Sequence, residues 1–230
     1  MILSKRVVFW LLFAAAPPLR ASDWTLEVEH ARALRNRRGV LTVGSDAIAY
    51  RGDREKEPLV FEYSAIQQLK LELRWLEILT YSDSRWLLGR DRRYRFKITG
   101  VEADPGLAEF LRSRVTGVFV SAIAAAPEET PAYSIQVKHL GIVEGSEGVL
   151  EMYAGRVLYR TAAPGGSRTW TYGQIESFAM PSRRQLELLT DEKKRGGPTR
   201  TFRFQLKQAA PETLYDFLWP RVHGARAPAG

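Results

Sequence analysis

The chain has 230 residues, 45% of them hydrophobic and 26% charged, with no cysteine and a formal charge of +8. That length allows one large or two small domains, and that composition excludes wholesale disorder and low-complexity structure. Without cysteine there is no disulfide framework, thiolate-bound zinc, iron–sulfur cluster or cysteine nucleophile.

Lys5 and Arg6 precede an apolar run over 7–16, closed by Pro17-Pro18 and Leu19-Arg20-Ala21. This is the layout of a secretory signal peptide, so residues 1–21 are expected to be cleaved and the rest exported, to the periplasm or outside the cell. The run is too short to span a bilayer, and retention as an anchor is the alternative. Loss of Lys5, Arg6 and Arg20 leaves a charge of +5, spread almost evenly, which makes no electrostatic case for nucleic acid.

The informative feature is an internal repeat. A shift of 109 positions places Val28 and His30 on Val137 and His139, and Gly39-Val40-Leu41 on Gly148-Val149-Leu150. The same shift of 109 carries Tyr50-Arg51 onto Tyr159-Arg160, Tyr63 onto Tyr172 and Ile66 onto Ile175. The register then drifts to 110 at Leu76 against Leu186, to 108 at Tyr94 against Phe202, and to 107 at Leu107 against Leu214. Loop-length changes produce such drift. The chain therefore reads as two homologous domains, 22–115 and 133–223, joined by 116–132 and followed by a disordered tail, 224–230.

In chain order, the first copy predicts short strands near 26–30, 40–43, 47–50 and 59–63, punctuated by Gly39, Gly44-Ser45 and Gly52-Asp53. Three more fit 66–73, 76–81 and 94–98. Residues 93–98 and 201–206 alternate as half-buried strands do. Gly44 and Ala154-Gly155 mark hairpin turns. The period then changes: Asp104-Pro105-Gly106 and Pro211-Glu212 each open a run with apolar residues at helical spacing, Leu107, Phe110, Leu111 and Val115 in one, Leu214, Phe217, Leu218 and Val222 in the other. The fold class is mainly β with α, each domain having about seven antiparallel strands closed by one amphipathic helix.

That order, with the Gly-x-Leu opening of the second strand, the Tyr near the end of the third and the final Leu-x-x-Phe-Leu helix, resembles the pleckstrin-homology-like superfold in its bacterial and GRAM-like members. The resemblance spans both copies and implies two tandem, partly open β-barrels, each plugged by its C-terminal helix. Between them, the apolar stretch 118–126 predicts either an extension of the first helix or a segment lodged between the domains.

Catalytic chemistry finds little support. His30 and His139 are repeat equivalents on the predicted first strands, without a ligand cluster beside them, so a structural role is expected and no metal or cofactor is assigned. Neither a Gly-x-Ser-x-Gly elbow nor a phosphate loop occurs, and the chain is not expected to be an enzyme; a site at the domain interface is the remaining catalytic alternative.

Binding features are stronger. Arg32, Arg35, Arg37 and Arg38 crowd the segment between the first two strands, whereas the second copy has Glu144 and Glu147 there. The resemblance implies an anion or lipid-headgroup site in this loop, anionic lipid or another acidic surface suiting an exported chain; a solvated loop is the alternative. Between the sixth and seventh strands, Trp86, Leu87 and Leu88 form an apolar tip flanked by Arg90 and Arg92, fit to enter a membrane interface or to pack back onto the protein. The expected role is binding or scaffolding with a protein partner at the envelope, with peripheral attachment to anionic membrane as the alternative.

Overall fold

The fold is that of a computed structural model, which describes residues 24–32, 35–84, 87–123, 129–141, 145–193 and 199–224. The expected signal peptide and most of the expected tail lie outside these residues. The chain is β-rich with two helices, and its 15 strands form one continuous sheet.

The first half runs β1 (Trp24–His30), β2 (Arg37–Val43), β3 (Ala47–Gly52), β4 (Leu59–Glu62), β5 (Ile66–Glu72), β6 (Trp75–Ser84), β7 (Leu87–Ile98) and α1 (Pro105–Arg114). A short strand, β8 (Val118–Ser121), follows. The second half repeats the order as β9 (Tyr133–His139), β10 (Ser146–Met152), β11 (Arg156–Thr161), β12 (Arg168–Thr171), β13 (Ile175–Ser182), β14 (Gln185–Lys193), β15 (Thr199–Leu206) and α2 (Thr213–Gly224). Each half has its own apolar core, the first centred on residues such as Leu41, Ile78 and Phe96, the second on Leu150, Leu188 and Phe204.

The predicted elements form for identifiable reasons. The β2–β3 and β10–β11 hairpins close where the glycines were read, with the Gly44 amide donating to the Ala47 carbonyl at 3.0 Å and the Tyr153 amide to the Arg156 carbonyl at 2.9 Å. Asp104 caps α1 by accepting from the Leu107 amide at 2.7 Å, and Pro105 sits in the first turn, where its missing N–H costs nothing. Helix α1 turns Leu107 and Leu111 inward, and α2 does so with Leu214, Leu218 and Val222.

The repeated residues mark one packing solution used twice. A Cβ on Gly39 would stand 2.3 Å from the Arg51 carbonyl oxygen and 2.8 Å from the Tyr50 ring; on Gly148 it would stand 2.2 Å from the Arg160 oxygen and 2.8 Å from the Tyr159 ring. Only glycine admits the tyrosine beneath the strand. The hydroxyl of Tyr50 then donates to the Arg37 carbonyl at 3.1 Å and that of Tyr159 to the Ser146 carbonyl at 2.8 Å. Likewise Tyr63 donates to the Gly44 carbonyl at 2.7 Å and Tyr172 to the Tyr153 carbonyl at 2.8 Å, pinning each hairpin with a buried hydrogen bond.

Two expectations change and one alternative is decided. Of the two readings of the apolar stretch, helix extension is not the one taken: α1 ends at Arg114, Val115 is extended, and 118–121 is a strand between β5 and β12. Arg37 and Arg38 open β2 instead of lying in a loop, because Glu29 and His30 of β1 continue the ladder to them. The segment from Leu87 to Arg92 is also strand, since β6 and β7 continue pairing through Asp83 with Asp91 and Ser84 with Leu87.

Strand β8 joins the halves. It pairs in parallel with β5 over Gln68–Leu71 and antiparallel with β12 at Thr169. Gly117 permits the approach, because a Cβ there would stand 2.3 Å from the Ile66 carbonyl oxygen and 2.5 Å from that of Gln67, both backbone atoms with no flexible means of yielding. From the second half, the Gln174 side-chain amide donates to the Phe119 carbonyl at 2.8 Å. In the helix register of the repeat, Gly117 corresponds to Gly224, around which a Cβ would meet nothing within 4 Å. Gly117→Ala is therefore expected to cost about 2 kcal/mol or more and Gly224→Ala to stay within about 0.5 kcal/mol of the parent, compared by urea unfolding.

Candidate functional site

The arginine segment builds an open cleft of about 670 Å³. Arg35 and Asn36 precede β2, Arg37 and Arg38 begin it, Arg32 follows β1, and Asp53 and Arg54 reach in from the β3–β4 connection. Glu29 is the other lining carboxylate. The backbone is held from below, the Arg38 carbonyl accepting from the Asp53 amide at 3.1 Å and from the Tyr50 hydroxyl at 3.3 Å. Five arginines thus face two carboxylates on a stiff strand end.

Not all of that charge is free. Arg32 is engaged by Glu55 and also donates from Nε to Nδ1 of His30 at 3.3 Å. Arg38 meets Glu29 at 3.4 Å, but its side chain is 82% exposed, so the pair contributes little and leaves the guanidinium available to a ligand. Of the residues expected to bind an anion, Arg35, Arg37 and Arg38 share this cleft. Arg92 instead stacks over the Tyr94 ring, 5.0 Å from its centroid. Leu87, Leu88 and Arg90 belong to β7 by backbone, and Trp86 lies outside the described residues. Leu87 to Arg92, read from the sequence as part of an apolar loop tip, are therefore strand. Arg54 and Asp53 were not singled out as site residues, although Gly52-Asp53 signalled a turn at that place.

The second copy replaces this cleft with other chemistry. Glu147 opens onto Lys207, whose Nζ donates to its carboxylate at 2.6 Å, and the lysine holds the carboxyl below its usual range. Glu144 lies outside the described residues.

The two repeated histidines are packing groups. His30 is buried against Tyr50, Phe96 and Tyr94, with ring centroids 5.2, 4.8 and 5.9 Å away. Burial, with Arg32 beside it, pushes its imidazole down to about 4, and a neutral Nδ1 is what accepts the Arg32 hydrogen bond. His139 stands among Tyr159, Phe202 and Phe204, and burial followed by Arg200 and Arg168 lowers it too. No cluster of three metal-ligating side chains occurs among the described residues.

A second surface was not anticipated. Strand β13 is an outer strand of the sheet, and α2 lies beside it. Tyr215 and Trp219 of α2 stack at 5.6 Å while remaining 43% and 49% exposed, and Phe178 of β13 meets Tyr215 at 5.2 Å. His223 completes the row, 4.0 Å from Trp219. The signal was present as aromatic and imidazole side chains four apart, on the helix face away from the apolar stripe.

No family model matches the chain, and no curated protein does. Among solved structures, one similar in outline is the Spt16D Pob3N heterodimer, 9% identical, covering 74% of this chain and 84% of that one with a TM-score of 0.32.

The histidines yield a pH prediction. Because the folded pKa of His30 lies below its unfolded value of 6.5, its contribution is full above 6.5 and is lost as pH falls towards about 4. Unfolding free energy is expected to drop by up to about 3 kcal/mol across that window on account of His30, and His139 adds loss in the same direction. Urea titrations from about pH 7 to about pH 4.5 should show a shallower drop in a His30→Phe, His139→Phe variant than in the parent.

Proposed function

We propose that this chain is a non-catalytic binding and scaffolding protein of the cell envelope, built from two pleckstrin-homology-like barrels, that takes up an extended apolar peptide of a partner protein at the β13 edge. The supporting observation is how the chain treats its own equivalent edge. In the first half β5 is covered by β8, whose Val118–Ser121 pair in parallel with Gln68–Leu71. The repeat equivalent of β5 is β13, which has the same register shift at the same place, Ile175 to Ser177 against Ile66 to Gln68. Strand β13 pairs only with β14 among the described residues.

A peptide strand added there would run along Ser177, Phe178, Ala179 and Met180, the positions matching those that hold β8. Main-chain hydrogen bonds supply affinity in strand addition, and alternate side chains supply selectivity. Phe178, Tyr215 and Trp219 offer those side chains an aromatic wall. Pro181 and the irregular pairing between Ala179 and Ser182 limit the usable edge, which guards it against indiscriminate pairing.

Peptides selected from a random display library on the full chain are expected to be extended and apolar and to shift the amide resonances of 177–180. Trp219→Ala should weaken them about tenfold or more, the loss typical of a central aromatic contact. Peptides that bind without moving those resonances would refute the edge as the site.

A second reading, peripheral attachment to anionic membrane, is favoured by the arginine cleft. Under it, the protein should sediment with anionic but not neutral vesicles, release at high salt, and lose most of that binding in Arg37→Ala, Arg38→Ala, because exposed guanidiniums act through screened charge. Binding that persists at high salt would exclude that attachment.

A further inference from the structure

A second cleft, of about 280 Å³, opens where β5, β6 and β7 of the first half meet β14 and β15 of the second. Gln68 fixes that meeting: its side-chain oxygen accepts from the Lys193 amide at 2.7 Å, and its nitrogen donates to the Lys193 carbonyl at 3.5 Å. Lys70, Arg93 and Arg95 line the cleft from one side, Lys193 and Arg200 from the other. The lining carboxylates are Glu77 and Glu192.

Both carboxylates are already divided between guanidiniums. Glu77 serves Arg93 and Arg95, and the buried Glu192 serves Arg168 and Arg200, each at 3.1 Å. Partners beyond the lining cancel, since Glu72 neutralises Lys70 at 2.6 Å while Arg168 adds a cation. Lys193 has no ion pair among the described residues. Five lining cations against two carboxylates leave an excess of three positive charges. The side chains of Arg93 and Lys70 are only 20% and 24% exposed, so water screens this repulsion poorly and an anion would relieve it.

We propose that this junction cleft binds a small oxoanion of two or more negative charges, phosphate- or carboxylate-based, held by cations of both halves at once. Guanidiniums present paired N–H donors that match the spacing of carboxylate and phosphate oxygens, and Lys193 adds a point charge. The volume equals roughly nine waters' share of the liquid, room for a pyrophosphate or a tricarboxylate. This site is separate from the β13 edge and from the arginine cleft, and it stands whether or not either of those binds a partner.

The test is the melting temperature of the full chain with about 5 mM pyrophosphate or citrate against sodium chloride at matched ionic strength. A rise of about 3 °C over the salt control is expected with at least one of the two anions, and which one responds separates phosphate from carboxylate chemistry. Lys193→Ala with Arg95→Ala should remove most of the rise, and Arg37→Ala with Arg38→Ala should leave it. No rise beyond the salt control overturns the proposal, as does a rise lost in the Arg37, Arg38 variant and kept in the other. Should the Lys193, Arg95 variant fail to fold, titration of the parent decides: the Lys193 backbone amide and the Gln68 side-chain amide must shift with the anion, and their silence is equally fatal.

Discussion

The arrangement of this molecule hangs on a four-residue strand seated against a sheet edge. Strand β8 reaches β5 only because Gly117 brings no side chain to the Ile66 and Gln67 carbonyls. Once there, it presents Ser121 to Thr169 of β12 and the Phe119 carbonyl to Gln174, so a single insertion gives the first half its cover and the second half its attachment. Gln68 reinforces the joint by reading both backbone atoms of Lys193. A double bond of that kind fixes position more firmly than it stabilises, each hydrogen bond being worth about 1 kcal/mol net. The halves are thereby held in one register, and the junction cleft exists because of it.

Inside the halves, the repeat keeps the parts that close each core. Glycine above tyrosine, tyrosine against histidine and phenylalanine, and a second tyrosine pinning the hairpin all occur twice, the glycine approaches and the pinning hydrogen bonds at closely matched distances. Outside the cores, the copies part company. Where the first presents Arg37 and Arg38, the second presents Ser146 and Glu147, and where the first has its edge filled, the second has an aromatic helix face beside an open strand. The two halves therefore offer different surfaces, an arginine cleft on the first and an aromatic helix face beside an outer strand on the second.

The strand order, both helices and the hairpins were legible in the sequence because alternation, glycine turns and the change to helical spacing report local geometry directly. Two kinds of feature were not. The run 118–126 is apolar apart from Ser121, and a strand buried between two neighbours, as 118–121 is, has no period to distinguish it from a helix. Arg37, Arg38 and the charged start of β7 read as loop because their composition is that of solvent-facing chain; ladder pairing to Glu29, His30 and Asp83 made them strand. Of the candidate sites, the arginines were visible as a cluster, but Arg54, which joins them through the β3–β4 connection, was not. The Tyr215–Trp219 face was present only as a spacing whose meaning depended on which strand lay beside it.

The position of β8 in the chain also decides which half hides the β5 edge. It follows α1 after only a few residues and precedes every strand of the second half, so the segment that covers β5 belongs to the first half's own stretch of chain. A nascent first half with a bare β5 would offer a template for pairing with other chains, a hazard of slow, β-rich folding. Here the first half shields that surface with its own chain, and the second half joins through β12 at the strand that covers it. The connecting segment is thus an edge cover that the first half carries with it.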